Sequence, residues 1–255
     1  MQILLTNDDG YRAPGLAALI EIMKPYGNVT VVAPEDMQSG MSSALTTKIP
    51  VRLRKITSGK GLDIYACSGT PVDCVKLAMS CILPGKPDLL VSGINHGINS
   101  SSAVIYSGTL GAAMEGTLYG IPSIGFSLAD YAQEADFNSC KIYGTKIIDQ
   151  ALQRPFAPHV FLNVNFPALP AEEIKGVRLA RQHKGSWMEE FEKRTDPHGF
   201  DYYWLTGKFV NHEPGALDAD ENLCRAGYIS IVPHHLDMTE YNELQRLQKE
   251  WQWNS

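Results

Sequence analysis

A chain of 255 residues, 44% of them hydrophobic, has enough apolar content for one large α/β domain or a domain with an extension. A net charge of −6 and the lack of a long basic run exclude a broad nucleic-acid or anionic-membrane surface, but not a local pocket for one small phosphate. No apolar stretch reaches the length of a membrane span, no secretory signal pattern is visible, and five cysteines without a Cys-x-x-Cys pair argue against a zinc site or a disulfide framework; a reduced, cytoplasmic protein is expected.

The first apolar run, Ile3-Leu4-Leu5, reads as a strand and ends in Asn7-Asp8-Asp9-Gly10. Leu16, Leu19, Ile20 and Met23 then recur on one helix face. Tyr26-Gly27-Asn28 is a stop signal, and residues 29–33 read as a buried strand closed by Pro34. This βαβ unit implies a parallel strand pair with a right-handed crossover. A small, polar turn follows, Gln38-Ser39-Gly40-Met41-Ser42-Ser43. Alternation over 49–56 and a short run over 62–67 predict a hairpin across Gly59-Lys60-Gly61. Thr70-Pro71 opens a helix whose apolar face is Val72, Val75, Met79 and Ile82.

Residues 88–92 form the next buried strand, running into the polar turn Gly93-Ile94-Asn95-His96-Gly97-Ile98-Asn99. Small residues open a further helix near Ser107-Gly108-Thr109, with Ser107 or its neighbour as cap. A strand over 121–126, a helix over about 137–153 and a strand over 160–165 complete the alternating part. The pattern then changes. Strands are expected at 177–180 and 202–210, separated by a polar stretch over 182–199, with another at 227–232. The tail over 237–253 carries a capping-box pattern, Asp237 with Glu240, before an apolar stripe of Tyr241, Leu244, Leu247 and Trp251.

Ligands of open α/β sheets bind outside the carboxyl ends of the strands. Three predicted strand ends carry oxygen donors: Asp8 and Asp9, Ser39, and Asn95. Adjacent carboxylates repel and are costly to desolvate unless a cation compensates. Asp-Gly is equally a turn dipeptide, so the first turn alone leaves both readings open. The convergence of the three ends suits a hard ion, Mg²⁺, Mn²⁺ or Ca²⁺, rather than zinc. Ser107, Gly108 and Thr109 add a helix start, where unpaired N–H groups attract an anion. Metal beside anion site points to phosphoryl chemistry. His96 is a candidate general acid, although a lone loop histidine is commonly just solvent-facing. His234 and His235, adjacent on a strand, point to opposite faces and do not make a metal site.

These residues resemble the SurE family, the survival-protein 5′-nucleotidases. The likeness runs in order through residues 3–10 with Ala13 and Gly15, Ala33-Pro34, Gln38-Ser39-Gly40, residues 69–75, residues 92–99 and Tyr106-Ser107-Gly108-Thr109. It continues in residues 163–167 and in Asp218 with residues 227–230. Two positions depart from the pattern, Val232 before Pro233 where threonine is usual, and His96 after Asn95.

The resemblance implies a metal-dependent phosphatase that hydrolyses nucleoside 5′-monophosphates, with 3′-monophosphates and short polyphosphate as further substrates. One divalent ion per subunit, Mg²⁺ or Mn²⁺, would be held by Asp8, Asp9, Ser39 and Asn95, with Asp8 and Asp9 central to catalysis. Ser107, Gly108, Thr109 and Asn99 would hold the substrate. The implied fold is α/β: a Rossmann-like, mostly parallel sheet with helices on both faces, plus a C-terminal extension with a hairpin and terminal helix. Residues 1–135 would carry the site, and 136–255 the rest of the core and the oligomerisation elements. The expected partners are a small nucleotide and a homodimer or homotetramer with exchanged C-terminal elements, with no nucleic-acid polymer and no membrane. Two other readings stay open: Asp8 as a covalent nucleophile on the same fold, and a nucleotide sensor without turnover. A purely structural oligomer would not need polar turns gathered at strand ends.

Overall fold

The computed structural model describes residues 1–132, 134–188 and 190–251. In chain order the first half is β1 (Gln2–Thr6), α1 (Pro14–Met23), β2 (Asn28–Pro34), β3 (Leu53–Gly59), β4 (Leu62–Cys67), α2 (Pro71–Leu77), β5 (Leu89–His96), α3 (Ala103–Tyr106), α4 (Gly108–Leu118) and β6 (Ser123–Leu128). The second half is α5 (Asn138–Gln153), β7 (Val160–Phe166), β8 (Val177–Leu179), β9 (Gly185–Met188), β10 (Phe191–Thr195), β11 (Asp201–Leu205), β12 (Lys208–Asn211), α6 (Asp220–Arg225), β13 (Ile229–His235) and α7 (Tyr241–Glu250).

Nine strands form one sheet in the order β3-β4-β2-β1-β5-β6-β7-β13-β8. The six from β4 to β7 are mutually parallel. β3 and β13 join antiparallel at either side. This is the expected α/β architecture of a mostly parallel sheet with helices on both faces, followed by hairpins and a terminal helix. β1 reads as apolar throughout because both its faces are covered. Ile3 and Leu5 pack with Leu16 and Leu19 of α1, whereas Leu4 packs with Val75 of α2 and Ala112 of α4. Leu19 is fully buried, and its truncation to Ala costs about 3 kcal/mol on the scale of such core deletions.

The sheet reverses its order between β1 and β5: chain-later strands lie to one side of β5, and β2 and β4 beyond β1. Such a switch point opens a crevice at the carboxyl ends of the two strands. That crevice is where Asp8, Asp9 and Asn95 emerge.

Several boundaries differ from the sequence pattern. β5 does not end at Ser92; it continues through Asn95 and His96, with a register shift against β6 between Ser92 and Asn95. Gly93, at φ +129°, supplies the backbone that this bulge needs. The helix opened by Thr70 has the reciprocal cap bonds of a capping box, but after Leu77 it widens into a looser turn that ends with Leu83 N–H donating to the Ala78 carbonyl, 2.9 Å. The run over 202–210 is two strands, β11 and β12, broken at Thr206 and Gly207, and the polar stretch before it already contains β9 and β10. Asp237 is not the cap of the last helix. Glu240 is, accepting from the Asn242 and Glu243 amides, while Asp237 takes the Thr239 amide and the Tyr241 hydroxyl. Of the tail expected to be helical, residues 252 and 253 lie outside the described residues. No helix among the described residues is long and apolar enough to cross a membrane.

Candidate active site at the carboxyl edge of the sheet

The first turn is held tightly. The Asn7 side chain donates to the Gly10 carbonyl at 2.9 Å, and Gly10 takes φ +102°. The Gln38 amide donates to the Asp8 carbonyl at 2.8 Å, which brings the Gln38–Ser39–Gly40 turn over the end of β1. Ser39 is exposed on that turn. The far side of the same loop is tied to the α3–α4 junction, because the Ser42 amide and hydroxyl donate to the Tyr106 and Ile105 carbonyls.

Asp8 is 4% exposed and sits against the start of α4. The Thr109 hydroxyl donates to Asp8 Oδ1 at 2.5 Å. Gly108 lies so close that a Cβ there would come within 2.9 Å of the Asp8 Cβ. Ser107 caps α4, its hydroxyl accepting the Leu110 amide at 3.1 Å. The structure thus joins Asp8, Ser107, Gly108 and Thr109 into one contact group. Burial pushes the Asp8 carboxyl up to about 6; the Thr109 hydroxyl opposes that rise and the Asp9 charge adds to it.

Asp9 is half-buried and its pKa is also raised by burial, with the His96 amide and ring pulling the other way. The His96 amide donates to Asp9 Oδ2 at 3.1 Å, so β5 fixes the second carboxylate through its backbone. The His96 ring stands edge-on to Phe137, centroids 5.1 Å apart. Asn95 is half-buried, and its side-chain N–H₂ donates to the Gly97 carbonyl at 2.8 Å. Its amide oxygen remains as the acceptor of that side chain.

This donor set fits a hard divalent ion. Two neighbouring carboxylates are both held uncomfortably by desolvation, and no Lys or Arg contributes to relieving either. The Asn7 amide oxygen and the Thr6 hydroxyl, just before them, are buried without hydrogen-bond partners. Among the described residues no three His, Cys, Asp or Glu side chains gather. The donors that could hold an ion are therefore mixed, two carboxylates with a hydroxyl and an amide oxygen, which suits Mg²⁺ or Mn²⁺ better than zinc.

Asn99 takes a different position. Its amide donates to Asn165 Oδ1 at 2.8 Å, its side chain donates to the Ser127 hydroxyl at 2.8 Å, and its carbonyl accepts from Asn163 at 2.7 Å. Asn99 is thus an anchor that pins the 97–103 segment to the ends of β6 and β7. Asn163 and Asn165 were not singled out by the sequence pattern. The signal was available: two asparagines at i, i+2 occupy one face of a strand that is otherwise buried and apolar. His234 stacks on Phe161 while His235 is exposed, opposite faces as expected.

The family model for "Survival protein SurE" matches residues 3–189. The chain belongs to the SurE family. The 5′-nucleotidase SurE of Flavobacterium psychrophilum is 52% identical over 253 residues, covering 99% of this chain and 98% of that one. That of Cytophaga hutchinsonii is 46% identical over 252 residues, covering 98% and 97%. The crystal structure of the SurE protein from Aquifex aeolicus superposes with a TM-score of 0.84 at 38% identity, covering 98% of this chain and 99% of that one. SurE membership therefore extends through the extension as well as the sheet.

Proposed function

We propose that this chain is a divalent-metal-dependent phosphatase that hydrolyses nucleoside 5′-monophosphates to nucleoside and phosphate. The curated relatives named 5′-nucleotidase SurE, aligned over nearly the whole chain, support the substrate class. The observation that carries the chemistry is the contact of Asp8 with the first turn of α4, because it sets a candidate metal ligand beside a helix-start anion site.

On this reading Asp8, Asp9, Ser39 and Asn95 hold one Mg²⁺ or Mn²⁺ ion per subunit. When bound, the ion neutralises phosphoryl oxygens and lowers the pKa of a water. Thr109 fixes the Asp8 carboxylate in orientation, and the His96 amide does the same for Asp9. The positive end of α4 receives phosphoryl oxygens, and the absence of a side chain at Gly108 lets the phosphate approach the backbone. Asp8 acts as ligand rather than nucleophile, since its Oδ1 is occupied by the Thr109 hydroxyl and a carboxylate shared with a cation attacks poorly. Asn99 serves by holding the 97–103 segment. Phosphate release from 3′-monophosphates and short polyphosphate is within the reach of the same machinery.

The assembly we propose is a homodimer or homotetramer in which the β10–β11 hairpin and α7 are exchanged. Phe191, Tyr203, Trp204 and Leu205 on the hairpin and Tyr241 and Leu244 on α7 are exposed, which supports a partner surface for them. Five free cysteines support a reducing, cytoplasmic setting. The test is phosphate release from a panel of nucleoside monophosphates with Mn²⁺ or Mg²⁺ and then EDTA. Release that requires metal is expected; folded protein that binds nucleotide and releases none with either ion would leave a sensor instead.

A further inference from the structure

Three of the four proposed metal donors stand at strand ends, where the sheet fixes them. Ser39 does not. It lies in the 35–52 segment between β2 and β3, which contains no strand and no helix. A donor on such a loop meets an ion in a constant geometry only where the loop is tied down by its surroundings. One tie precedes Ser39, the Gln38 amide on the Asp8 carbonyl. Those that follow run to the α3–α4 junction through Ser42 and then to the start of α2. There the Thr70 hydroxyl donates to the Ala44 carbonyl at 2.7 Å, and the Thr46 amide donates to Asp73 Oδ1 at 3.2 Å.

The same two side chains form the capping box of α2. Thr70 Oγ1 accepts the Asp73 amide at 3.2 Å, and Asp73 Oδ2 accepts the Thr70 amide at 2.9 Å. A cap needs only acceptor oxygens on these side chains. The hydroxyl proton of Thr70 and the second oxygen of Asp73 are surplus to it, and both are given to the loop. Thr70 and Asp73 are buried. Burial raises the Asp73 carboxyl, but the donors from Thr46 and Thr70 more than offset this and leave its pKa below the ordinary value, so a charged acceptor faces Thr46 at neutral pH. Missing side chains make room for the seat. A Cβ at Gly69 would come within 2.6 Å of Asp73 Oδ2, and one at Gly111 of α4 within 2.3 Å of the Ser42 carbonyl. Lys76 and Glu115, 2.6 Å apart, join α2 to α4, so the loop rests on two connected helices, and α4 is the one that touches Asp8.

We propose that Thr70 and Asp73 are positioning residues for the metal-dependent reaction: by fastening Ala44 and Thr46 they hold Ser39 where it completes the donor set. The inference rests on the metal-dependent phosphatase reading and adds to it two residues that need touch neither ion nor substrate.

The experiment measures Mn²⁺ binding directly, from the free-ion signal in electron paramagnetic resonance, beside phosphate release from AMP. It compares native protein, Thr70→Ser, Thr70→Asp, Ser39→Ala, and Thr70→Asp combined with Ser39→Ala. Aspartate caps a helix about as well as threonine but has no proton for the Ala44 carbonyl. Thr70→Asp should therefore raise the Mn²⁺ Kd about tenfold or more, the scale of a lost support to a metal ligand. Its melting temperature in EDTA should stay within a few degrees of native, and Thr70→Ser should bind Mn²⁺ as the native chain does. In the Ser39→Ala background the same substitution should change the Kd less than about twofold, because the residue through which it acts is gone. Equal weakening with and without Ser39 would make Thr70 a general structural residue and overturn the inference. Native Mn²⁺ affinity in Thr70→Asp, with Ser39→Ala weakened and the native chain active, would overturn it too and leave the phosphatase standing. If Thr70→Asp does not fold, Thr70→Val carries the same comparison of backgrounds with the same two overturning outcomes. A native chain that neither binds Mn²⁺ nor releases phosphate would remove the phosphatase reading itself, and the inference with it.

Discussion

The strand ends that carry Asp8 and Asn95 and the strands of the β10–β11 hairpin are the same kind of structure in opposite surroundings. β1 and β5 are buried along nearly their whole length between two helical layers. β10 and β11 are exposed at every residue, aromatic ones included. In the sheet, the chain's own neighbours stabilise the strand and leave its end free to hold awkward charge. A two-strand hairpin has marginal stability by itself, and among the described residues its apolar side chains stay largely exposed. The site proposed above lies at the edge of the core, whereas the hairpin leaves its side chains exposed.

The widest separation between the two regions comes from Asp8→Asn. Phosphate release should fall at least ~100-fold, the scale of removing a group placed to meet developing charge. The metal-free fold should lose no stability, because the variant no longer buries a second negative charge beside Asp9. Thermal unfolding in EDTA measured with activity checks this; a melting point that falls with activity would make Asp8 a folding residue first.

The seam between the regions has its own pH signature. His234 of β13 is largely buried on Phe161, and burial holds its pKa down at about 4. Above pH 7 it is neutral in both folded and unfolded chains. As pH falls from about 6.5 to about 4, the unfolded chain takes up a proton that the folded one refuses, so stability is lost over that window. The loss is at most about 3 kcal/mol. Denaturant titrations at pH 7 and pH 4.5 should show a smaller decline in His234→Phe than in the native chain, and equal declines would discard the idea.

Next in size is Thr109→Val, which keeps the shape but removes the hydroxyl from Asp8. Groups that orient a metal ligand typically contribute 10–100-fold in affinity or activity. The Mn²⁺ concentration for half-maximal activity should rise by about that factor with little change in melting temperature. An unchanged metal dependence would show that Asp8 needs no orienting partner.

The contrast also explains what could be read from the chain alone. β1, β2 and α1 were legible because their periodicity matches a surrounding made by this chain. The gathering of Asp8, Asp9 and Asn95 at one edge was legible because the βαβ pattern places strand ends together without knowledge of side-chain packing. The contact between Thr109 and Asp8 was not, since it joins residues 101 apart and depends on how α4 docks. The continuation of β5 through Asn95 was hidden by Gly93, which reads as a turn in sequence and serves as a bulge in the sheet. In the extension, β9 and β10 were missed because exposed strands have no buried face to impose alternation. The same lack of cover placed the start of α7 three residues too early, at Asp237.

The smallest expected effect on catalysis, and the sharpest on assembly, comes from α7. Tyr241 and Leu244 lie on its apolar stripe and are exposed, and no residue of the helix is buried by this chain. If a second copy covers that stripe, Leu244→Glu places a charge in the contact without touching the core. Sedimentation should then show a smaller particle at micromolar concentration, while kcat per chain stays within about threefold, because Asp8, Asp9 and the start of α4 all belong to one chain. An unchanged particle size would assign assembly to the hairpin alone. A collapse of kcat on dissociation would mean instead that the partner holds the site in shape, and that core and extension do not act independently.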